Sequence, residues 1–269
     1  MSGPALRSAS PSWDAALYGR YSGERMRPAL DLLNRLPQDL CPDRVIDLGC
    51  GTGDVTTALK ERWPKAEVIG LDSAAPMLAK ARGLSSTVTW VQADIAGWTP
   101  ERPFDLVFSN AALQWLDRHE TLFPRLVAAL SEGGVFAVQM PRNFDAPSHR
   151  LMRDTAEESP WRERLRHLLR AEPVMPPARY YDLLAPLAEE IDIWETEYLH
   201  ILDGDTPVLD WVRGTGLRPI IDALTDADER AEFINRYQQK LAKAYPRRSD
   251  GRTLFPFRRL FIVARRRRR

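Results

Sequence analysis

The stretch that most restricts the fold is Val45-Ile-Asp-Leu-Gly-Cys-Gly-Thr-Gly-Asp54. A short apolar run ends in glycines at 49, 51 and 53, and a helix-forming segment follows. Backbone without a Cβ there lets a ligand come close to a chain that other residues would shield. A dinucleotide-binding turn asks for its last glycine at position 54, where the helix would start beneath a pyrophosphate. Position 54 is Asp, which would repel that phosphate. The loop therefore disfavours a nicotinamide cofactor and suits a cationic ligand.

Around this loop, strand-like and helix-like runs alternate. Strands are expected at Arg44–Leu48, Glu67–Leu71, Val88–Gln92, Phe104–Ser109 and Val135–Gln139. Helices are expected at Asp54–Trp63, Pro76–Arg82 and Leu122–Leu130, the last capped by Gly133-Gly134. This rhythm predicts a doubly wound α/β sheet, mostly parallel, whose strand C-termini line one ligand-binding edge. After Met140 it breaks. Residues 141–188 are charged and proline-punctuated, Ile191–Leu199 alternates with period two, 205–245 is helical, and Arg259–Ala264 is a last strand. The expectation is a seven-stranded, mostly parallel sheet with helices on both faces. A helical cap would come from about 141–188 and 203–254.

Residues 1–12 read as a loose terminus and Trp13–Leu36 as helical, with Pro28 in a first turn. Residues 13–265 form one domain and 266–269 a basic tail. The arginine run 265–269 is expected to be solvated rather than a nucleic-acid arm.

A formal net charge of +1 over 269 residues argues for neither nucleic acid nor an acidic membrane as partner. Cys41 and Cys50 offer no disulfide framework and no metal-ligand spacing, and two lone thiols suit a reducing compartment. The first residues hold no apolar signal core, and no run approaches the ~20 apolar residues of a membrane span. A cytoplasmic protein without metal is expected, with monomer favoured.

Asp72 closes the second strand about twenty residues after the loop, where a carboxylate can take both hydroxyls of a ribose. Its alternative use is as a helix N-cap, which Ser73 could fill equally well. Asp94 and Ile95 follow the third strand and suit an adenine, the carboxylate accepting from the exocyclic amine. Asn110 ends the fourth strand, near the remaining end of such a ligand. Asp47, Gly49, Cys50, Gly51, Ser73, Met77 and Gln114 complete the expected cofactor set.

The glycine loop, Asp72, Asp94 and Ser109-Asn-Ala-Ala-Leu-Gln-Trp115 resemble class I methyltransferases, whose cofactor S-adenosylmethionine carries no phosphate and is cationic at its amino group and sulfonium. Trp13–Pro28, LQWL at Leu113–Leu116, VQMPRN at Val138–Asn143, TGLRP at Thr215–Pro219 and RLFIVARR near the end are similar to the trans-aconitate methyltransferase family. The likeness spans nearly the whole chain after Ser12. Asp14-Ala15 stand where that family leads one to expect Asn-Pro. The resemblance implies a Rossmann-like fold and transfer of a methyl group to a carboxylate of trans-aconitate, giving a monomethyl ester and S-adenosylhomocysteine.

A carboxylate is already ionised at neutral pH. No general base is needed, so no catalytic acid–base residue is expected. Holding a tricarboxylate requires cations and hydroxyls, for which bidentate arginines are suited. The candidates are Tyr18, Arg27, Trp115, Arg142, His149, Tyr180, Tyr181 and Arg218, with Arg25, Arg179 and Arg213 as further cations; Arg218 and the Tyr180-Tyr181 pair rank highest. Other readings stay open: a methyltransferase for another small carboxylate or a thioester-linked acid, or a non-catalytic S-adenosylmethionine-binding protein. An amino-methylating nucleic-acid enzyme is disfavoured, because Ser109-Asn-Ala-Ala stands where an Asp/Asn-Pro-Pro-aromatic motif would be.

Overall fold

A computed structural model describes residues 22–168 and 172–268. Tyr18, the segment 1–21 and Arg269 lie outside them.

The first described helix, α1 (Ser22–Asn34), contains Pro28 in its interior rather than in its first turn. The chain then enters β1 (Arg44–Leu48), whose residues after Arg44 are all buried. Past the glycine loop comes α2 (Asp54–Arg62), with Asp54 in its first turn and Lys60 and Arg62 in its last, an order that suits the helix dipole. Next are β2 (Glu67–Asp72), α3 (Ala75–Leu84) and β3 (Thr89–Gln92). They are followed by β4 (Phe104–Asn110), a 3-10 turn at Leu113–Trp115, α4 (His119–Ala128) and β5 (Leu130–Pro141).

Helix α4 stops two residues short of Leu130, which instead pairs with Phe104 as the start of β5. The glycine pair expected to cap a helix sits inside this strand, at a register shift between Phe104 and Leu106. Gly133 has φ 74°, and a Cβ on Gly134 would lie 3.0–3.2 Å from three carbonyl oxygens. The glycines thus serve a bulge.

The remaining elements are α5 (Pro147–Ala156), α6 (Arg162–Leu165), a 3-10 turn at Arg166–Leu168, α7 (Pro177–Leu184), β6 (Ala188–Leu202), α8 (Pro207–Arg213), α9 (Arg218–Ala223), α10 (Ala227–Ala244) and β7 (Thr253–Arg266). The seven strands run in the order β3-β2-β1-β4-β5-β7-β6. β7 is antiparallel to both neighbours, and the pairs among β1–β5 are parallel. One sheet face is covered by α1 and α2 through Leu32, Leu33, Leu36 and Leu59. The other is covered by α4 and α7 through Leu122, Phe123, Tyr180 and Leu184. Helix α7, expected in the cap, is therefore part of a sheet layer.

β6 and β7 are longer than their sequence patterns suggest. Pro141, the last residue of β5, pairs with Arg259, yet β6 and β7 continue pairing to Leu202 and Thr253. The surplus is a two-stranded ribbon standing above the strand C-termini. Such a ribbon needs cover to be stable. Its Leu202, Phe255 and Phe257 are buried with Met152, Trp161, Leu165, Trp211, Phe233 and Tyr237 from α5, α8 and α10 and from the chain around α6. This third core is the cap. Asp226 caps α10 by accepting from the Glu229 N–H.

The arginine run departs from a solvated arm at Arg265 and Arg266, while Arg267 and Arg268 are exposed. Arg265 and Arg266 belong to β7. The Arg265 side chain is buried and reaches Asp39 at 2.6 Å and Glu190 at 3.5 Å. The Arg267 N–H donates to the Leu187 carbonyl, and Arg268 pairs with Glu189. No helix among the described residues is long and apolar enough to cross a membrane.

Candidate active site

At the C-terminus of β1 the loop is tied to β2. The N–H groups of Gly49 and Cys50 both donate to the Leu71 carbonyl, at 2.7 and 3.0 Å. Asp72 accepts from Gly51 N–H through Oδ2 at 2.9 Å and from Ala74 N–H through Oδ1 at 2.8 Å. Its carboxylate thus braces the glycine loop and the turn into α3 together, and each oxygen retains a lone pair. Ser73 is exposed and does not cap α3, whose N-cap is Ala74. Gly51 has φ 55°, with nothing within 4 Å of where a Cβ would stand, so its backbone opens to a ligand. At Gly53, φ 89°, a Cβ would lie 2.6 Å from the Trp90 ring.

Beneath the loop Asp47 is fully buried and accepts from Thr56 Oγ1 at 2.6 Å. Burial pushes its carboxyl up to about 7, the nearby Asp72 charge adds to this, and the Thr56 hydrogen bond opposes it. Burial, with both carboxylates, also pushes the Cys50 thiol far up, which leaves it unreactive. Two mutually repelling carboxylates flank one loop, and a cation placed there relieves both.

After β3, Asp94 Oδ1 accepts from Ala96 N–H at 2.9 Å, and Ile95 is buried against the sheet core. Arg125 of α4 fixes this loop by donating to the carbonyls of Ile95 and Trp98, both at 2.8 Å. Met77 of α3 is buried nearby in sequence to Asp72. At the end of β4, Ser109 Oγ donates to the Leu48 carbonyl at 2.8 Å. Ala111 adopts φ 54°, a left-handed conformation costing about 1–3 kcal/mol in a residue with a Cβ. Its N–H donates to the Gln139 carbonyl, and its own carbonyl accepts from Gln114 Nε2 at 2.7 Å. Just before it, Asn110 Oδ1 is buried with no partner among the described residues. Every expected cofactor residue sits at or beside the C-termini of β1 to β4.

The expected substrate residues scatter more. Tyr18 falls outside the described residues, as does the Arg25 side chain. Arg27 lies on α1, 4.0 Å from Asp31 and 5.3 Å from the Tyr198 ring centroid. Trp115 is exposed on the turn after β4. Arg142, just past β5, is engaged with Glu195 at 2.7 Å. His149 on α5 faces Gly216, where a Cβ would be 3.3 Å from its Nε2, and burial lowers it to about 4. Arg218, two residues on from Gly216, pairs with Asp222 at 3.4 Å. The cap thus brings His149 and the Thr215–Pro219 segment together. Arg213 sits half-buried on α8.

Two candidates are corrected. Tyr180 is buried in a sheet-face core. His119 Nε2 must donate to the Leu113 carbonyl at 2.9 Å, so its Nδ1 accepts from the Tyr180 hydroxyl at 2.7 Å. That hydroxyl also accepts from Met175 N–H. Tyr181 is 55% exposed on a shallow hollow with Pro177, Ala178 and Ile191–Ile193, beside the first half of β6 and away from the ligand edge. Arg179 is exposed on the same helix.

Sequence reading missed a polar group on the α1 face of the sheet. Gln139 (β5), Arg259 (β7) and His200 (β6) are all buried, as is Asn143 just beyond β5. Arg259 Nη1 meets Gln139 Oε1 at 3.5 Å, and its guanidinium lies 4.7 Å from the Phe257 and 6.0 Å from the Tyr198 ring centroids. Gln139 Nε2, Asn143 Nδ2 and His200 Nε2 have no partner among the described residues. An orphaned buried donor costs about 1–3 kcal/mol. The available signal was Gln139, a lone polar residue inside the apolar run Val135–Met140, whereas Arg259 stands beside Arg258 at the start of its apolar run.

A family model described as a methyltransferase domain matches residues 45–134. The trans-aconitate 2-methyltransferase of Azoarcus sp. (strain BH72) is 50% identical over 254 residues, covering 94% of this chain and 99% of that protein. Its counterpart in Streptomyces coelicolor is 47% identical over 269 residues, covering 97% of this chain and 88% of that protein. The crystal structure of the plantazolicin methyltransferase BpumL, in complex with a desmethylPZN analog and SAH, gives a TM-score of 0.51 at 15% identity, covering 94% of this chain and 91% of that one. At such identity the likeness concerns the fold.

Proposed function

The chain belongs to the trans-aconitate 2-methyltransferase family, and on that footing we propose that it esterifies one carboxylate of trans-aconitate with the methyl group of S-adenosylmethionine. The observation that carries this reading, beside the family, is the acidic glycine loop: Asp72 braces it from the ligand side with Asp47 buried beneath, and the backbone is left open at Gly51.

S-adenosylmethionine supplies an activated methyl group on sulfur, and S-adenosylhomocysteine is the by-product. Asp72 holds the ribose hydroxyls with the lone pairs its two backbone bonds leave over. Asp94 and Ile95, on the loop that Arg125 pins, receive the adenine. Asn110 Oδ1 would accept from the ammonium end. The carboxylate nucleophile is ionised at neutral pH, so the residues align two oppositely charged reactants and exclude water rather than move a proton. His149, Arg218 and Trp115 close the edge from the cap and the β4 turn. The strained Ala111 holds the turn that aims Asn110 and Gln114.

We place the protein in the cytoplasm as a monomer acting on a free small molecule, in keeping with its two free thiols. The test is methyl transfer from labelled S-adenosylmethionine to trans-aconitate, cis-aconitate, citrate, isocitrate and a malonyl thioester. Base-labile label on trans-aconitate in preference to the others is expected. Transfer to another acid, with trans-aconitate inert, would overturn the substrate.

A further inference from the structure

We infer that Arg259, with the Gln139 amide beside it and Arg27 across the Tyr198 ring, is the cradle for the non-reacting carboxylates of the substrate. The inference rests on the tricarboxylate reading above and names the side chains that would recognise it.

Four observations support this cradle. First, Asn110 and Gln139 are Cα partners in adjacent strands, and Arg259 pairs with Pro141, two residues further along β5. Arg259 thus lies two strands across and two residues along from Asn110, about 12 Å between Cα atoms at ~4.8 Å per strand and ~3.3 Å per residue. Their side chains bridge part of that distance, which leaves room for a small branched tricarboxylate whose other end would sit at the methyl-transfer position. Second, Arg259 is 4% exposed, held by the Phe257 face and by Gln139 Oε1, so its guanidinium is positioned before any ligand arrives. Third, the orphaned atoms around it share one sign. Gln139 turns its oxygen to Arg259 and leaves Nε2 unmatched. Asn143 turns its oxygen to the Arg258 N–H and leaves Nδ2 unmatched. His200 Nε2 is the third atom of this kind, and as the N–H tautomer it too donates. Gln139 Nε2 and Asn143 Nδ2 lack acceptors among the described residues, and carboxylate oxygens are acceptors alone. Fourth, the positive charge is concentrated there: Arg27 and Arg259 flank the one Tyr198 ring, at 5.3 and 6.0 Å from its centroid. Burial, helped by their field, lowers His200 to about 4 and keeps it neutral.

Among the described residues, the groups around Arg259 include Gln139 from β5, Tyr198 and His200 from β6, Phe257 from β7, and, across the Tyr198 ring, Arg27 with Asp31 from α1. Asp31 is engaged by the Tyr198 hydroxyl at 2.6 Å. A monocarboxylate would leave these donors unmatched, so the cradle selects for polyacids.

The test uses the full-length protein with Arg259→Gln and, as a second variant that keeps every strand contact, Gln139→Glu. Two quantities are read: calorimetric binding of trans-aconitate to the protein saturated with S-adenosylhomocysteine, and kcat/KM for trans-aconitate against a monocarboxylate such as crotonate. Both variants are expected to bind S-adenosylhomocysteine as the parent does. They should bind trans-aconitate at least tenfold more weakly, and the preference for trans-aconitate over crotonate should fall by the same factor. Unchanged trans-aconitate binding in either variant that still binds S-adenosylhomocysteine would overturn the inference. So would an equal loss for both acids. A parent protein that binds trans-aconitate without methylating it, with binding lost in the variants, would sink the proposed reaction and leave the cradle standing. A parent that does not bind it sinks both.

Discussion

Asp47 makes the apo protein's stability depend on pH in a way that one substitution should erase. Its carboxyl sits near 7 in the folded chain and near 3.8 when unfolded, chiefly because burial disfavours the anion. Below about pH 4 the group is protonated in both states and exacts no penalty. As pH rises, the unfolded chain releases the proton while the folded chain keeps it, so stability is lost between about pH 4 and pH 7. Three pKa units at 1.36 kcal/mol each give about 4 kcal/mol, fully lost above pH 7. Asp47→Asn cannot ionise, yet its amide oxygen still accepts from Thr56. Urea unfolding of both proteins at pH 4.5, 6, 7 and 8 is the assay. The variant should gain on the parent by about 3 kcal/mol from the lowest pH to the highest, because about 1 kcal/mol is already lost at pH 4.5. Saturating S-adenosylhomocysteine should shrink the gain, because an ammonium over the loop favours the ionised carboxylate. Parallel stability profiles for parent and variant would refute the assigned burial cost.

Asp72→Ala removes the acceptor of two backbone N–H groups and the proposed ribose contact; S-adenosylhomocysteine binding should weaken by about 1.5–3 kcal/mol, roughly 10- to 150-fold by calorimetry. An unchanged dissociation constant would remove Asp72 from the cofactor site. Arg125→Met frees the carbonyls of Ile95 and Trp98 and should cost about 1–3 kcal/mol of stability together with several-fold in cofactor affinity. Lost stability at full cofactor affinity would mean that this loop does not meet the adenine. Tyr180→Phe deletes a buried hydroxyl bonded to His119 and to Met175 N–H. It should lower stability by about 1–2 kcal/mol and leave the KM for trans-aconitate unchanged, whereas a raised KM would restore Tyr180 to the substrate site.

The strand ends where the cofactor residues are expected were legible because their signals are local. Asp47, Gly49, Gly51 and Asp72 each stand at a strand end that a short apolar run announces, and a parallel doubly wound sheet carries all such ends to one edge. The Gly133-Gly134 pair was misread because a glycine after a helix and a glycine in a bulge look alike until the partner strand is known. Tyr180 and Tyr181 were ranked together because a cap must present something polar to the ligand edge, yet neighbouring residues of a helix point about 100° apart, and one entered the core while the other met solvent. Arg265 looked like a tail because a run of arginines reads as solvated until Asp39 and Glu190 are brought beside it.

By itself the sequence determined the α/β class, the glycine loop and the preference for a cationic ligand. All three follow from residue types at short spacing and from the sterics of the backbone. Only the tertiary structure decided which polar residues share a buried face. Gln139, His200 and Arg259 lie on three strands, 120 residues apart in the one contact that joins Gln139 to Arg259. They share a face because β7 inserts antiparallel between β5 and β6 and sets their register. Long-range pairing of that kind is fixed by packing energy summed over the whole sheet, which no local pattern encodes.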